Sequence, residues 1–241
     1  MMKIHLVTYG NERFAIQREN LKLSALYSKF FDEITVFTPN DLDEHFKIQF
    51  NQILSFGRGG GYWLWKPYFL KKAMDNINDG DILIYLDAGC MVNIKGRKRF
   101  EDYIDQLIND QSGSLLFHLH FKEYQYTKQE IFNYFRSNEA MVQSGQRISG
   151  IILFRKCANS VTIVEKWLQA VYDDPWLFTD YLLLPQRVGF IENRHDQSVL
   201  SMITKIHNAT SIPDETYFLD FEKEGGRFPF WATRLCDFYY K

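Results

Sequence analysis

Apolar runs alternate with amphipathic segments along most of the chain, and polar or glycine-containing turns separate them. Strands are predicted at residues 3–8, 33–37, 81–86, 114–119 and 148–154, because each is a short run rich in aliphatic or β-branched side chains. Stretches with apolar side chains three and four residues apart lie between most of these strands and predict helices. The alternation predicts an α/β fold with a mostly parallel sheet that helices cover on both faces.

Four of the predicted helices have a clear apolar face. The first places these side chains at helical spacing: Leu23, Leu26, Tyr27 and Phe30. The second starts at Pro67, where the missing N–H of proline does no harm. The third follows a capping residue, Asn159 or Ser160, and the last covers about residues 196–206.

Composition limits the classes of protein to which the chain can belong. Its 241 residues fit one α/β domain over residues 1–241, and 46% hydrophobic with 24% charged residues excludes wholesale disorder. A formal net charge of −2 argues against a nucleic-acid-binding protein, which usually has a strongly basic face. No window approaches the roughly 20 apolar residues of a membrane span, so any membrane contact is predicted to be peripheral.

The cysteines indicate the cellular compartment. Cys90, Cys157 and Cys236 are odd in number, widely spaced and without a Cys-x-x-Cys pair, so a structural zinc site is not expected. We interpret them as reduced thiols of a cytosolic protein. The apolar run at the N-terminus is too short for the core of a signal peptide.

Candidate chemistry is expected where the strands end, because ligands of open α/β sheets bind beyond the carboxyl ends of the strands. This rule selects Thr8-Tyr9, Asp87-Ala88-Gly89 and the segment after Ser149-Gly150. Asp87 follows an unbroken apolar run, so its carboxylate is expected at the mouth of the sheet and partly desolvated. A divalent cation or a donor hydroxyl would suit it there, and a capping or turn aspartate is the alternative.

A glycine-rich segment with two tryptophans, residues 59–67, is the second candidate. Three glycines let the backbone approach a ligand closely. Lys66 lies at a helix start, where its ammonium and the helix N-terminus would both face a diphosphate. A mobile loop with a buried aromatic anchor is the alternative, and Trp63 and Trp65 are expected to pack in the core.

The third candidate is His195-Asp196-Gln197, directly before the last predicted helix. Polar side chains at that position project into a cleft. Asp196 as a helix N-cap is the alternative, although a cap alone does not need His195 and Gln197 beside it.

Other nucleotide-binding motifs fit poorly. A dinucleotide fingerprint, Gly-x-Gly-x-x-Gly, fails at Tyr62, and a Walker loop is absent. Residues 86–90 look like the start of a methyltransferase cofactor loop, but Met91 and Val92 replace the further glycines. That loop should also follow the first strand of its domain.

Taken in order, three segments resemble GT-A glycosyltransferases, in particular bacterial and viral enzymes of surface-polysaccharide synthesis. They are GGGYWLWKP at residues 59–67, a segment similar to LYLDAGC at residues 84–90, and HDQS at residues 195–198. The resemblance spans about residues 4–234. It implies the GT-A fold and a nucleotide-sugar donor.

The resemblance also assigns roles at the donor site. Thr8 and Tyr9 would hold the base and ribose, and Asp87-Ala88-Gly89 corresponds to the DxD motif that holds the metal and the donor diphosphate. Gly89 replaces the second carboxylate. Asp87 would therefore bind Mn²⁺ or Mg²⁺ with help from the donor phosphates and from His195 or His207, or it would bind only ribose or sugar hydroxyls.

The remaining implied roles concern catalysis and the leaving group. Asp196 would be the base of an inverting enzyme, or would bind the sugar or stabilise positive charge in a retaining one. Gly150 lies in the segment that lines the acceptor side, and Arg234, in a folded-back C-terminal segment, would neutralise phosphate. The candidate donor-binding residues are thus Thr8, Tyr9, Lys66, Asp87, Ala88, Gly89, Gly150, His195, Gln197 and Arg234.

The function implied is transfer of a sugar from a UDP- or GDP-sugar to a glycan or lipid-linked acceptor in surface-polysaccharide synthesis. The expected location is the cytoplasm, including the inner face of the membrane. Two alternatives stay open: a non-catalytic sugar-nucleotide-binding relative that lost activity with its second carboxylate, and the methyltransferase that uses S-adenosylmethionine.

Overall fold

The computed structural model describes residues 2–234. The strands are β1 Ile4–Tyr9, β2 Glu33–Phe37, β3 Ile82–Leu86, β4 Met91–Val92, β5 Ser114–Lys122, β6 Gly145–Arg147, β7 Ile151–Arg155, β8 Thr210–Pro213 and β9 Phe230–Trp231. The helices are α1 Ala15–Ser28, α2 Glu44–Gln49, α3 Asn51–Leu54, α4 Gly59–Tyr62, α5 Trp65–Asp75, α6 Arg97–Asn109, α7 Glu123–Tyr126, α8 Gln129–Tyr134, α9 Glu139–Val142, α10 Ala158–Asp173 and α11 His195–Ile206. Short 3-10 turns cover Glu12–Phe14, Pro39–Asp41, Ile94–Gly96 and Pro175–Phe178.

One main sheet contains seven of the strands within residues 2–234. β1 pairs in parallel with β2 and β3, whereas β7 runs antiparallel to both β3 and β5. β6 is antiparallel to β5, and β8 is parallel to it. Five of the seven strands therefore point in one direction, and only β6 and β7 run against them. The predicted α/β fold with a mostly parallel sheet is confirmed.

Two apolar cores cover the two faces of this sheet. Leu83 and Tyr85 of β3 belong to one core, and Ile82, Ile84 and Leu86 belong to the other, as the twofold alternation of a strand requires. Helices α5, α10 and α11 contribute to the first core, and α1 and α6 contribute to the second. Strand β3 is thus buried on both faces, which explains its unbroken apolar sequence.

The apolar face predicted for the first helix is wrong at three of its four positions, and Phe30, the one that is buried, lies beyond the end of α1. Tyr27 is 74% exposed, and Leu23 and Leu26 are also exposed. The buried positions of α1 are instead Gln17, Leu21, Ala25 and Ser28. Small side chains on that face allow a close approach to β4, where the Ser24 hydroxyl accepts a hydrogen bond from the Val92 N–H at 3.1 Å.

Two further expectations concern the membrane and the thiols. No helix within residues 2–234 is long and apolar enough to cross a membrane. Cys90 and Cys157 carry free thiols, and Cys236 lies outside the described residues.

Candidate active site

Asp87 lies directly after β3, at the carboxyl edge of the sheet, as the sequence predicted. Its backbone N–H donates a hydrogen bond to the Gly150 carbonyl at 2.8 Å. A Cβ at position 150 would lie 2.8 Å from Asp87 Oδ2, so any larger residue there would displace the Asp87 carboxylate. The two predicted site segments around Asp87 and Gly150 therefore meet in the fold.

Lys66 joins Asp87 to Asp196 across this edge. Its Nζ lies 3.1 Å from Asp87 Oδ1 and 2.7 Å from Asp196 Oδ2. The Ser149 hydroxyl donates to Asp196 Oδ2 at 2.6 Å. We call these four residues the Lys66 cluster. Two carboxylates and one ammonium give its charged groups a net charge of −1.

The members of the Lys66 cluster differ in their access to solvent. The side chains of Lys66 and Asp196 are 1% and 5% exposed, whereas that of Asp87 is 38% exposed. Asp87 is thus the open face of the cluster, and the ammonium lies behind it. The expectation that Lys66 faces a diphosphate directly needs correction, because the ammonium is enclosed and already has two carboxylate partners.

Protonation in the cluster follows from its charges. Burial disfavours a charged lysine, but the Asp196 and Asp87 carboxylates outweigh burial and raise the pKa of Lys66. The Tyr85 hydroxyl donates to Asp87 Oδ1 at 2.7 Å, and burial together with Asp87 raises the pKa of Tyr85 well above its ordinary value. Lys66 therefore stays charged and Tyr85 stays a hydrogen-bond donor at neutral pH.

His195 starts α11 with a left-handed backbone, at φ 53°. Its buried ring lies 5.1 Å from the Tyr62 ring and 5.2 Å from the Trp63 ring. Its Nε2–H donates to Asp180 Oδ1 at 2.9 Å, since a carboxylate can only accept. Burial lowers the pKa of His195 although Asp180 opposes the shift.

The glycine-rich segment reaches the same carboxylate. Arg58 Nη1 lies 3.0 Å from Asp180 Oδ2. The next residues turn sharply, with left-handed backbone at Gly60 and Gly61, and this turn places Tyr62 against His195. Segments 59–67 and 195–198, which the sequence singled out separately, are therefore in contact.

Gln197 holds the backbone beside Asp196. Its Oε1 accepts from the Ser149 N–H at 3.3 Å, and its Nε2 donates to Gln146 Oε1 at 2.7 Å. Both ends of the amide are used inside the protein. Gln197 therefore positions the Ser149-Gly150 bend.

The end of β1 differs from the role that the resemblance implied. The Tyr9 ring is buried, with its centroid 3.7 Å from that of Trp65 and 5.1 Å from that of Phe69. Thr8 is fully buried, and its Oγ1 has no hydrogen-bond partner within residues 2–234. The Tyr9 ring is thus packed against protein and too little exposed to stack on a base. Trp65 packs in the core, as expected.

The C-terminal segment folds back beside Asp87. β9 pairs antiparallel with β4, and the Thr233 hydroxyl donates to the Gly89 carbonyl at 2.6 Å. The exposed Arg234 has its guanidinium 4.8 Å from the centre of the Tyr217 ring. Ala88 is buried in the turn between β3 and β4. The predicted fold-back is observed, and it places Arg234 at the rim of this edge.

The structure adds residues that the sequence did not single out. Tyr85 had a signal, because it lies two positions before Asp87 and so on the same side of the extended chain. Asp180 and Arg58 had none, since a loop residue and a residue before a glycine turn follow no periodicity that marks them.

A divalent cation would have few protein ligands here. Among residues 2–234 there is no group of three or more His, Cys, Asp or Glu side chains that could hold a metal ion. Asp87 Oδ1 already contacts Lys66 and Tyr85, His195 is engaged by Asp180, and His207 follows the far end of α11. Asp87 Oδ2 is the remaining oxygen. One free carboxylate oxygen is too few for a metal site built by the protein alone. It does fit a cation whose other ligands are donor phosphates and water, which is how Mg²⁺ is often bound.

No protein-family model matches the chain, and no curated protein matches it. Its fold, however, matches solved structures. A glycosyltransferase involved in the glycosylation of the major capsid of PBCV-1 aligns with a TM-score of 0.53 and 12% identity, over 95% of this chain and 92% of that one. The bifunctional glycosyltransferase WbbM aligns with a TM-score of 0.52 and 11% identity, over 90% of this chain and 40% of WbbM.

The chain has a glycosyltransferase fold of the GT-A type. At these identities the likeness establishes the fold alone.

Proposed function

We propose that the chain is a glycosyltransferase that moves a sugar from a UDP- or GDP-sugar to a glycan or lipid-linked acceptor. The Lys66 cluster is the observation that carries this proposal. Lys66 ties together Asp87 and Asp196, the carboxylates that the resemblance places at the donor and at the transferred sugar. Buried ion clusters rarely stabilise a fold more than apolar packing would, so a functional role explains this one better.

Asp87 is the donor-site residue of the proposed reaction. Its exposed carboxylate can accept hydrogen bonds from ribose or sugar hydroxyls, and its Oδ2 can share a divalent cation with the donor diphosphate. Such a cation, when bound, would draw negative charge from the leaving diphosphate. Tyr85 and Lys66 fix the other oxygen, so the carboxylate is oriented before the donor arrives.

Asp196 is the proposed catalytic residue. Lys66 and the Ser149 hydroxyl both hold Oδ2, which fixes the plane of the carboxylate and leaves Oδ1 to act. In an inverting transfer Oδ1 would accept the proton of the acceptor hydroxyl. In a retaining transfer it would stabilise positive charge at the sugar ring.

The other sequence-derived residues take supporting positions in this proposal. His195 and Gln197 hold the segments on either side of Asp196 through Asp180 and Gln146. Arg234 lies at the rim, where a guanidinium can reach a phosphate oxygen. The acceptor, the role in surface-polysaccharide synthesis and a cytoplasmic location rest on the resemblance of the sequence segments.

A ligand panel tests the proposal. We expect UDP, GDP or one of their sugars, with Mn²⁺, to raise the melting temperature, because a ligand that binds only the folded state stabilises it by mass action. S-adenosylmethionine should leave the melting temperature unchanged. Chromatography of the same mixtures should show release of the nucleoside diphosphate. Nucleotide-sugar binding without release would identify a non-catalytic relative, and stabilisation by S-adenosylmethionine alone would contradict the proposal.

A further inference from the structure

A cavity away from the Lys66 cluster lies on the side of the molecule formed by β5, β6, β8 and the C-terminal half of α11. Its volume is about 630 Å³, and it opens to solvent. His118 of β5, Arg147 of β6 and Ser211 of β8 line it together with Lys205 of α11 and Asn208. Its size suits a small organic ligand, since such pockets typically measure about 300–1,000 Å³.

The charged side chains that line this cavity, Arg147 and Lys205, are both basic. None of the described residues that line it is an Asp or a Glu. Lys205 pairs with the buried Glu123, which also accepts a hydrogen bond from the Ser201 hydroxyl. The positive charge of Lys205 is thus balanced inside the protein.

Arg147 is balanced less well, because Glu123, the carboxylate that attracts it, already pairs with Lys205. Its Nη1 is buried and has no hydrogen-bond partner within residues 2–234. Burial lowers the pKa of Arg147 to about 10, so the guanidinium is still charged at neutral pH. A buried donor without a partner is unfavourable, and a charged one more so.

His118 reports the same positive potential. Burial lowers the pKa of His118, and the neighbouring Arg147 and Lys205 lower it further, although Asp214 opposes them. Its Nδ1 lies 3.2 Å from the Ser211 hydroxyl. The cavity therefore offers a guanidinium, a neutral imidazole and a hydroxyl.

We propose that this cavity binds the phosphate group of a saccharide-sized ligand, with Arg147 as its anchor. A guanidinium presents several N–H donors in a planar fork that matches the oxygens of a phosphate. Nη1 itself is closed to solvent, so the Arg147 side chain would turn toward the cavity for this atom to gain a phosphate partner. The space beyond the phosphate admits a sugar ring.

The proposed phosphate site is separate from the Lys66 cluster. None of the described residues that line the cavity belongs to the Lys66 cluster, although Arg147 lies two residues before Ser149. Lys205, which also lines the cavity, lies nine residues after Asp196 on α11, which corresponds to about 13 Å along the helix. Arg147 is held in place by its own backbone, because its N–H donates to the Ser201 hydroxyl at 2.8 Å. The inference therefore does not depend on the proposed transfer reaction.

Calorimetric titration tests the site with three probes: glucose 6-phosphate, inorganic phosphate and glucose. The chain should bind the two phosphates and not glucose. Arg147→Gln should weaken phosphate binding by roughly 10- to 100-fold, the effect of losing hydrogen bonds to a charged group. Arg227→Gln is the matched control, because Arg227 is an exposed arginine that stacks on Phe228 and has the same charge.

Thermal melts of the same variants separate binding from folding. Phosphate stabilises many proteins non-specifically, so the difference between the two variants is the decisive quantity. At about ten times Kd, glucose 6-phosphate should raise the melting temperature of the control by roughly 3–6 °C and that of Arg147→Gln much less. Without ligand, Arg147→Gln should melt no lower than the control. Equal phosphate affinity in both variants, or no binding to either, would overturn the proposal.

Discussion

At the scale of single residues, Lys66 defines the chemistry of the site. A lysine that is 1% exposed remains charged only because two carboxylates lie within 3.1 Å of its Nζ. The arrangement is reciprocal, because Asp196 is also buried and depends on Lys66 and Ser149 for its partners. Loss of the ammonium would leave a buried carboxylate without a counter-charge.

Replacing Lys66 with methionine should therefore destabilise the protein strongly. We expect Lys66→Met to lower the free energy of unfolding by about 3–5 kcal/mol, as removal of one partner of a buried ion pair does. Lys71→Met is the control, because Lys71 pairs with the more exposed Asp75 on the surface of α5 and should contribute at most about 1 kcal/mol. Urea denaturation measures both. Equal losses in the two variants would show that Asp87 and Asp196 do not depend on Lys66.

At the scale of elements, the sequence predicted the features that depend on neighbouring residues alone, namely strand ends and helix starts. The apolar run before Asp87 places that residue at a strand end, and the helix start places Lys66 nearby. That Lys66 contacts both Asp87 and Asp196 follows from the order of the strands, which no local pattern contains. Asp180 lies in a loop, where no sequence pattern marks it as a site residue.

Two departures of the structure from what the local sequence pattern suggests have local physical causes. Two faces of α1 satisfy helical spacing, and the structure buries the one with smaller side chains, which leaves Tyr27 exposed. Tyr9 ends a strand where ligands usually bind, but Trp65 and Phe69 cover its ring. In both cases the local sequence allows either outcome, a buried or an exposed side chain, and tertiary packing decides which one occurs.

The glycine-rich segment gives the test at this scale. Gly61 has φ 93°, and a Cβ there would lie 2.6 Å from Leu54 Cα. We expect Gly61→Ala to lower the free energy of unfolding by more than about 1 kcal/mol, because alanine is strained at positive φ. Gly57→Ala is the matched control, since a Cβ there meets nothing within 4 Å. Thermal melts compare the two, and equal stability would contradict the turn geometry.

At the scale of the whole molecule, helices on both faces bury the sheet and leave its carboxyl edge open. The Lys66 cluster lies at that edge, and the cavity proposed to bind a phosphate lies further along α11. Burial also depresses the basicity of histidines in different parts of the fold. It lowers the pKa values of His118, His195 and His207 below their ordinary value.

These histidines should make stability depend on pH. Between the lowered folded pKa values and the unfolded value of about 6.5, the unfolded chain binds more protons, so stability rises with pH. We expect the melting temperature to fall as the pH is lowered from 7.5 to 5.5. The double variant His118→Gln, His207→Gln should show a shallower fall. An identical slope in that variant would assign the effect to other groups.

The most direct test of the central claim is nucleotide-sugar turnover by Asp87→Asn. Release of UDP or GDP from a panel of nucleotide sugars, with Mn²⁺, would be measured for the unaltered protein, for Asp87→Asn and for Asp79→Asn. Asp79 is a suitable control because its side chain is 93% exposed. We expect Asp87→Asn to lose at least about 100-fold in rate, because a neutral amide would hold the donor and a cation shared with its diphosphate much less well, while Asp79→Asn retains full activity. Undiminished turnover by a folded Asp87→Asn protein would contradict the account.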